Sequence, residues 1–147
     1  MFRGRHEHSI DGKGRLSIPS KFREVLGERY TPDILIVTNF DRCLVAYPHE
    51  EWEALERKAA SLSQVKEVVR SFQRYFISSA TECTLDAQGR ILLPPTLRDY
   101  AGLTRDVVIL GMLKKMEIWA KDRWMEVFER SERSFSENGD VLAELGI

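Results

Sequence analysis

One short passage occurs twice in this chain. DGKGRLSIPSKFREVLG fills positions 11–27 and DAQGRILLPPTLRDYAG fills 86–102, seventy-five residues later. Asp11/Asp86, Gly14/Gly89, Arg15/Arg90, Pro19/Pro94, Arg23/Arg98 and Gly27/Gly102 are identical, six of seventeen aligned positions where chance gives about one. A fold that respects this must contain the same small unit twice.

The unit can be read from its residues. HEHSI and TECTL can put successive residues on alternating faces, as can RLSI and RILL, so each reads as a short strand. Between them D-G-K-G and D-A-Q-G provide a carboxylate that can accept backbone N–H groups and a second glycine that tolerates positive φ, which predicts a tight hairpin-like turn. Pro19 and Pro94 suit the first position of a following helix, and Gly27 and Gly102 suit its left-handed end. Phe22, Val25 and Leu26 face inward in the first copy, and Leu97, Tyr100 and Ala101 in the second.

After a three-residue length difference the copies realign, placing strands at about 34–38, 43–47, 107–111 and 116–120 and matching Trp52 with Trp124. Between the copies, His49 to Phe76 carries apolar residues at spacings of three and four and reads as helical, divided near Ser61 and Ser63 with Ser63 as an N-cap. A second amphipathic helix follows Trp124, and fraying or a partner-dependent tail is expected beyond Asn138. One such unit of about fifty residues would struggle to bury its apolar face, so two copies are expected to pack about a pseudo-twofold axis.

Composition narrows the class. No segment approaches the roughly 18 apolar residues of a membrane span, and no apolar core follows the first basic residues as in an export signal, so a cytosolic protein is expected. Cys43 and Cys83 are far apart without a C-x-x-C pair and read as buried small residues. The net charge is −1, yet residues 1–30 hold seven basic against four acidic side chains (+3), while 122–147 hold three against seven (−4). The two ends face different surroundings.

MFRG at the start, together with DGKGRLSIPSKFREVL and DAQGRILLPPTLRDYAGL, resembles the MraZ family of bacterial transcriptional regulators, over Met1 to about Trp124. That resemblance implies an α+β fold of tandem AbrB-like swapped-hairpin β-barrel units forming an intrachain pseudo-dimer. The expected divisions are a first unit at 5–47, a helical connector at 48–75, a second unit at 76–119 and a C-terminal helix and tail at 120–147. It further implies binding of double-stranded DNA at short direct repeats, in the promoter of the division and cell-wall gene cluster including the protein's own, by a ring-shaped homo-oligomer associated with the nucleoid.

Against that background, Arg15 at the head of its turn is expected to reach a base edge or clamp a phosphate, in preference to merely pairing with Asp11. For Arg90 the two readings stay open, because Ala87 and Gln88 replace Gly12 and Lys13 and leave that copy less positive; Gln88 is included as a DNA-facing candidate. Lys13, Arg3 and Arg5 are read as phosphate contacts. Asp11, Gly14, Asp86 and Gly89 are read as turn-structuring, and Arg23 and Arg98 as members of an ion pair within each unit.

His6 and His8 form an H-x-H pair with no third ligand converging, so no metal is expected. No catalytic triad, P-loop or Rossmann glycine pattern can be assembled, so no enzyme, cofactor or small-molecule substrate is expected. Arg57, Lys58, Lys66, Arg70 and Arg74 read as a solvated helix face, with subunit contact as the alternative. The rival in another class is a protein-interaction scaffold, with antitoxin-like binding through the tail as a variant.

Overall fold

The computed structural model describes residues 1–147. Strands are β1 (Arg5–Ser9), β2 (Arg15–Ser17), β3 (Ile34–Phe40), β4 (Cys43–Pro48), β5 (Thr81–Thr84), β6 (Arg90–Leu92), β7 (Asp106–Gly111) and β8 (Met116–Ala120). Helices are α1 (Ser20–Arg29), α2 (His49–Ala60), α3 (Glu67–Phe72), α4 (Pro95–Ala101), α5 (Lys121–Glu137) and α6 (Gly139–Glu144), with a π-helical turn at Gln73–Ile77 after α3.

The units exchange strands. An antiparallel six-stranded sheet runs β1-β7-β8-β4-β3-β5, and β2 pairs with β6 in a separate ribbon. So β1 of the first copy lies on β7 of the second, and β5 of the second lies on β3 of the first, in matching register: His6 opposes Ile109 as Thr81 opposes Val37. The expected hairpin is therefore real only at its tip. An isolated Ile10–Leu16 bridge closes the turn in the first copy, after which β1 and β2 leave for different partners. Alternation in a sequence shows which face of a strand is buried, not which strand lies beside it.

The pseudo-twofold axis can be located by register. Leu16 faces Ile91, its own repeat-mate, and Val45 faces Glu117, the mate after the length difference. The axis thus passes through the β2–β6 ribbon and through the β4–β8 pair at the centre of the sheet.

Strands β3, β4, β7 and β8 are almost continuously apolar because both sheet faces are covered. On one face Leu35, Val37, Leu44, Ala46, Val107, Ile109, Met116 and Ile118 meet Leu16, Ile18, Ile91 and Leu93 of the ribbon segments, Phe22 and Leu26 of α1, and Leu97 and Ala101 of α4. On the other, Ile36, Cys43, Val45, Val108, Leu110 and Trp119 meet Trp52 of α2 and Phe76. Both cysteines are buried as expected, and burial pushes the Cys83 thiol up to about 11.

Several local readings need correction. Pro19 and Pro94 stand just outside their helices with extended ψ and lend their carbonyls to the first turn, while Pro95 takes the first helical position. Gly102 ends α4 at φ 65°, but Gly27 lies inside α1, which continues to Arg29 and stops at an extended Tyr30. Tyr30 is held there by a hydrogen bond from its hydroxyl to Glu51 (2.9 Å) and by stacking on Phe2, so tertiary contacts extend the helix past its glycine. The connector breaks after Ala60 and resumes at Glu67 with Lys66, not Ser63, at the N-cap position. Beyond Asn138 the chain forms the short helix α6, with no buried residue. No helix is long and apolar enough to cross a membrane.

Candidate nucleic-acid interface

The two D-x-x-G-R turns are built alike. Asp11 Oδ1 accepts the backbone N–H of Lys13 and of Arg15 (both 2.9 Å), and its Oδ2 accepts Arg15 Nε at 2.6 Å. Asp86 Oδ1 accepts the N–H of Gln88 and Arg90 (both 2.9 Å), and its Oδ2 accepts Arg90 Nε at 2.9 Å. In each turn the glycine N–H returns to the Asp carbonyl, Gly14 at 3.0 Å and Gly89 at 2.9 Å, and the glycine takes a left-handed φ, 85° and 75°, that turns the chain back so that the Arg carbonyl accepts the Asp N–H at 3.0 and 2.9 Å.

The carboxylate holds the arginine without consuming it. Nε is the only atom of either guanidinium that the carboxylate engages, and the terminal amino groups of Arg15 and Arg90 have no hydrogen-bond partner in the protein. Each side chain is therefore fixed at its root, with the two-donor edge of its fork open. The brace also sets an acid limit. The N–H of Arg15, helped by its side chain and by the N–H of Lys13, holds the Asp11 carboxyl down to about 2 from an ordinary 3.8, and Asp86 is lowered by the same set of partners led by Arg90. Because the folded-state value is depressed, the brace is complete above the ordinary carboxylate range and is lost as pH falls through about 2. A carbon-13 titration of the Asp11 carboxyl is expected to show a midpoint near that value, with the Lys13 and Arg15 amide shifts moving in the same step; a midpoint at an ordinary value would mean an open turn.

The ribbon brings the two turns together. In β2–β6, Leu16 and Ile91 point into the core, so Arg15, Ser17, Arg90 and Leu92 share the outer face. Arg15 opposes Leu92 and Arg90 opposes Ser17, which makes the arginines diagonal neighbours, about 7–8 Å apart between Cα atoms by sheet geometry. Leu92 between them is 60% exposed.

Arg23 and Arg98 belong to this surface, and sequence reading missed that. Neither forms an ion pair. Arg23 Nε donates to the carbonyl of Ile18 and Arg98 Nε to that of Leu93, both at 3.1 Å. Each guanidinium then lies across the glycine of the other unit's turn: a Cβ on Gly14 would stand 2.9 Å from Arg98 Cζ, and one on Gly89 2.6 Å from Arg23 Cδ. Ile18 N–H donates to Gly89 and Leu93 N–H to Gly14, stitching the same exchange in backbone. The available signal was joint identity: an arginine and a glycine both kept in two copies need not be neighbours within one copy. Lys13, Arg15, Arg23, Arg90 and Arg98 against Asp11, Asp86 and Glu82, which lines a groove with Lys13 and Arg98, give this surface a net charge of +2.

Arg3 and Arg5 are not brought to it. Arg5 opposes Leu110 at the far end of β1 from Ser9, about 13 Å along the strand. Its guanidinium sits 4.7 Å from the Phe128 ring centroid and 5.9 Å from that of Trp124, on α5. The backbone of Phe2 and Arg3 crosses Gly111 at the same far end. His6 packs edge-on against Phe22 (5.0 Å), and burial with the nearby His6 lowers the His8 pKa.

The family model described as "MraZ protein, putative antitoxin-like" matches the chain twice, over residues 1–75 and 76–143. The chain is similar to a protein named Transcriptional regulator MraZ from Syntrophobacter fumaroxidans, 50% identical over 146 residues that cover 99% of this chain and 97% of the relative. It is also similar to proteins of that name from Pelotomaculum thermopropionicum (46% identical, covering 100% of this chain and 99% of the relative) and Desulfitobacterium hafniense (44%, covering 100% of both).

Proposed function

The chain belongs to the MraZ family, and from that premise we propose that it regulates transcription as a sequence-specific DNA-binding protein whose β2–β6 ribbon enters the major groove. That groove admits a two-stranded ribbon, and an arginine fork can bond guanine O6 and N7 together. The observation that carries this reading is the pair of anchored guanidiniums with open terminal groups on one exposed face. Arg15 and Arg90 read bases, Leu92 meets a thymine methyl group, and Lys13 and Gln88 at the turn tips contact the backbone. Arg23 and Arg98 hold the glycines of the turns and add positive charge. Arg3 and Arg5 stand outside the contact set, for the distance given above. The similar proteins from Syntrophobacter fumaroxidans, Pelotomaculum thermopropionicum and Desulfitobacterium hafniense are named as transcriptional regulators, which supports the regulatory reading.

One ribbon presents few contacts. We infer that several chains act together, as a ring-shaped homo-oligomer on short direct repeats in the promoter of the division and cell-wall gene cluster, within the nucleoid of the cytoplasm. Linked sites gain on the order of 10² to 10⁴ in avidity when geometry lets them engage at once. Neighbouring ribbons meet one face of the duplex only if repeats recur at about 10 bp. A mobility-shift series on phased repeats is therefore expected to lose most of its affinity when about half a turn is inserted between repeats and to regain it at a whole turn. Equal binding at every spacing rejects the reading.

A further inference from the structure

We propose that the β2–β6 ribbon binds its DNA site in one preferred direction, and that the difference between Leu92 and Ser17 sets it. This rests on the reading of the ribbon as the base-contacting surface and adds what orients that surface on the duplex.

The pseudo-twofold axis works against a direction. It passes through the ribbon, where Leu16 faces Ile91, so it exchanges Arg15 with Arg90 and Arg23 with Arg98. A half-turn about it lays the same guanidiniums in the same groove. A ribbon that was truly twofold would therefore bind a site and its reversed copy equally well, as symmetric proteins do on palindromes. Direction can come only from repeat-mates that differ.

Two such pairs lie on this surface, Lys13 with Gln88 and Ser17 with Leu92. The exchange of strands sorts them. Arg15 opposes Leu92 and Arg90 opposes Ser17, so each arginine stands beside a residue of the other copy. The flank of Arg15 and Leu92 also holds Lys13 and Arg98, which line one groove with Leu92. The flank of Arg90 and Ser17 holds Gln88 in the same turn as Arg90, and Arg23 across Gly89. Lys13 and Gln88 cannot supply a direction, because a phosphate stands on either side of every base pair and phosphate contacts carry no sequence information. That leaves Leu92 and Ser17, on the face that meets base edges.

The major groove can tell these two apart. Directly opposed side chains on paired strands have Cβ atoms about 4.5–5.5 Å apart, so Leu92 reaches the base pair next to the one Arg15 meets. Its side chain offers only apolar surface, for which a base edge has one partner, the thymine methyl group. Ser17 is half-buried, and its hydroxyl both donates and accepts, so it makes no comparable demand beside Arg90. A lone exposed leucine is ordinary. A leucine whose repeat-mate is serine, at the place where the two flanks must be distinguished, marks one of them. Ribbons that face the same way along a duplex then require repeats that run the same way.

The test is strand cutting by the full chain carrying Gly12→Cys with an iron chelate on that thiol. A Cβ at Gly12 meets nothing within 4 Å, and Cys43 and Cys83 are buried, so the label falls on the turn tip of the Leu92 flank. The substrate is a duplex that the wild-type chain selects from a random pool, and cuts are mapped on both sides of each repeat. With Leu92 and Ser17 in place, cuts are expected in excess on the thymine side, by about fourfold per repeat for one buried methyl group. Leu92→Ser is expected to cut both sides equally, and Leu92→Ser with Ser17→Leu to move the excess to the opposite side. Circular dichroism checks folding; if the double exchange disturbs it, Leu92→Ser alone decides, since it places at 92 the side chain that 17 already carries. Cuts that keep to the original side in a folded variant, or that fall equally on both sides with Leu92 and Ser17 in place, overturn this pair as the source of direction and leave the arginine reading standing. A chain that binds the duplex yet makes no site-specific cut has its turn tip away from DNA, which overturns the ribbon reading and this inference with it.

Discussion

Replacing Arg15 and Arg90 together with alanine is expected to erase the distinction between cognate and unrelated DNA while leaving the fold and the oligomer mass unchanged. Each bidentate arginine–guanine contact is worth about 1–3 kcal/mol, or roughly 5- to 150-fold, so one substitution should cost about that factor on the cognate repeat and two independent ones about its square. The fold should be spared because both Arg–Asp pairs are partly exposed, with side-chain accessibilities of 34% and 37% for Arg15 and Asp11, and such pairs contribute about 0–1 kcal/mol. Asp11 would still accept two backbone N–H groups.

Arg15→Lys should fail to restore selectivity, because an ammonium cannot present two coplanar donors. Lys13→Ala provides the contrast: it should weaken binding on all sequences alike and flatten the slope of log affinity against log salt by about 0.9, the share of the one phosphate that residue 13 would no longer neutralise. Equilibrium binding on cognate and scrambled duplexes at several salt concentrations measures all of these. If Arg15→Ala with Arg90→Ala retains its preference, the ribbon is not the reading surface; if it falls to a smaller oligomer, the arginines serve assembly.

The turn chemistry was legible because it is local. Asp11, Gly14 and Arg15 lie within five residues, and a carboxylate accepting two amides while a glycine adopts positive φ needs no distant partner. The doubled passage likewise announced two units. Which unit supplies a strand's neighbour was not legible, because β1 beside β2 and β1 beside β7 satisfy the same alternation. The same limit governs Arg23 and Arg98. Looking within one copy suggests an ion pair, whereas their targets are Gly89 and Gly14 across the axis. Arg5 shows a charge count standing in for a place: it counts toward the +3 of the first thirty residues, but β1 carries it to the α5 side.

The N-terminal segment yields the largest expected loss of stability, from a glycine whose importance no turn signal announced. Phe2 is fully buried, edge-on to Phe22 at 5.5 Å and stacked on Tyr30 at 6.1 Å. It is held by a reciprocal pair of backbone bonds with Leu113, at 2.8 and 2.9 Å. To reach that place the backbone crosses Gly111 so closely that a Cβ there would stand 2.2 Å from Arg3 N and 2.5 Å from Arg3 Cα, and backbone cannot yield as a flexible side chain can. Gly111→Ala must therefore lift the strand and withdraw Phe2 from the core. Phe2→Ala removes the same ring in place, at a cost of about 3–5 kcal/mol, and Gly111→Ala should cost nearly as much. With about 2–4 °C per kcal/mol in a chain of this size, each melting temperature should fall by roughly 6–20 °C. Because both changes empty one site, the double variant should melt close to the worse single one, giving a coupling energy of about the full single cost in a double-mutant cycle. Additive losses would mean that Gly111 and Phe2 act on separate parts of the molecule, and an unshifted melt for Gly111→Ala would mean that the N-terminal strand does not cross there. Lifting this segment also frees the Arg5 end of β1, the strand whose other end leads into the Asp11 turn.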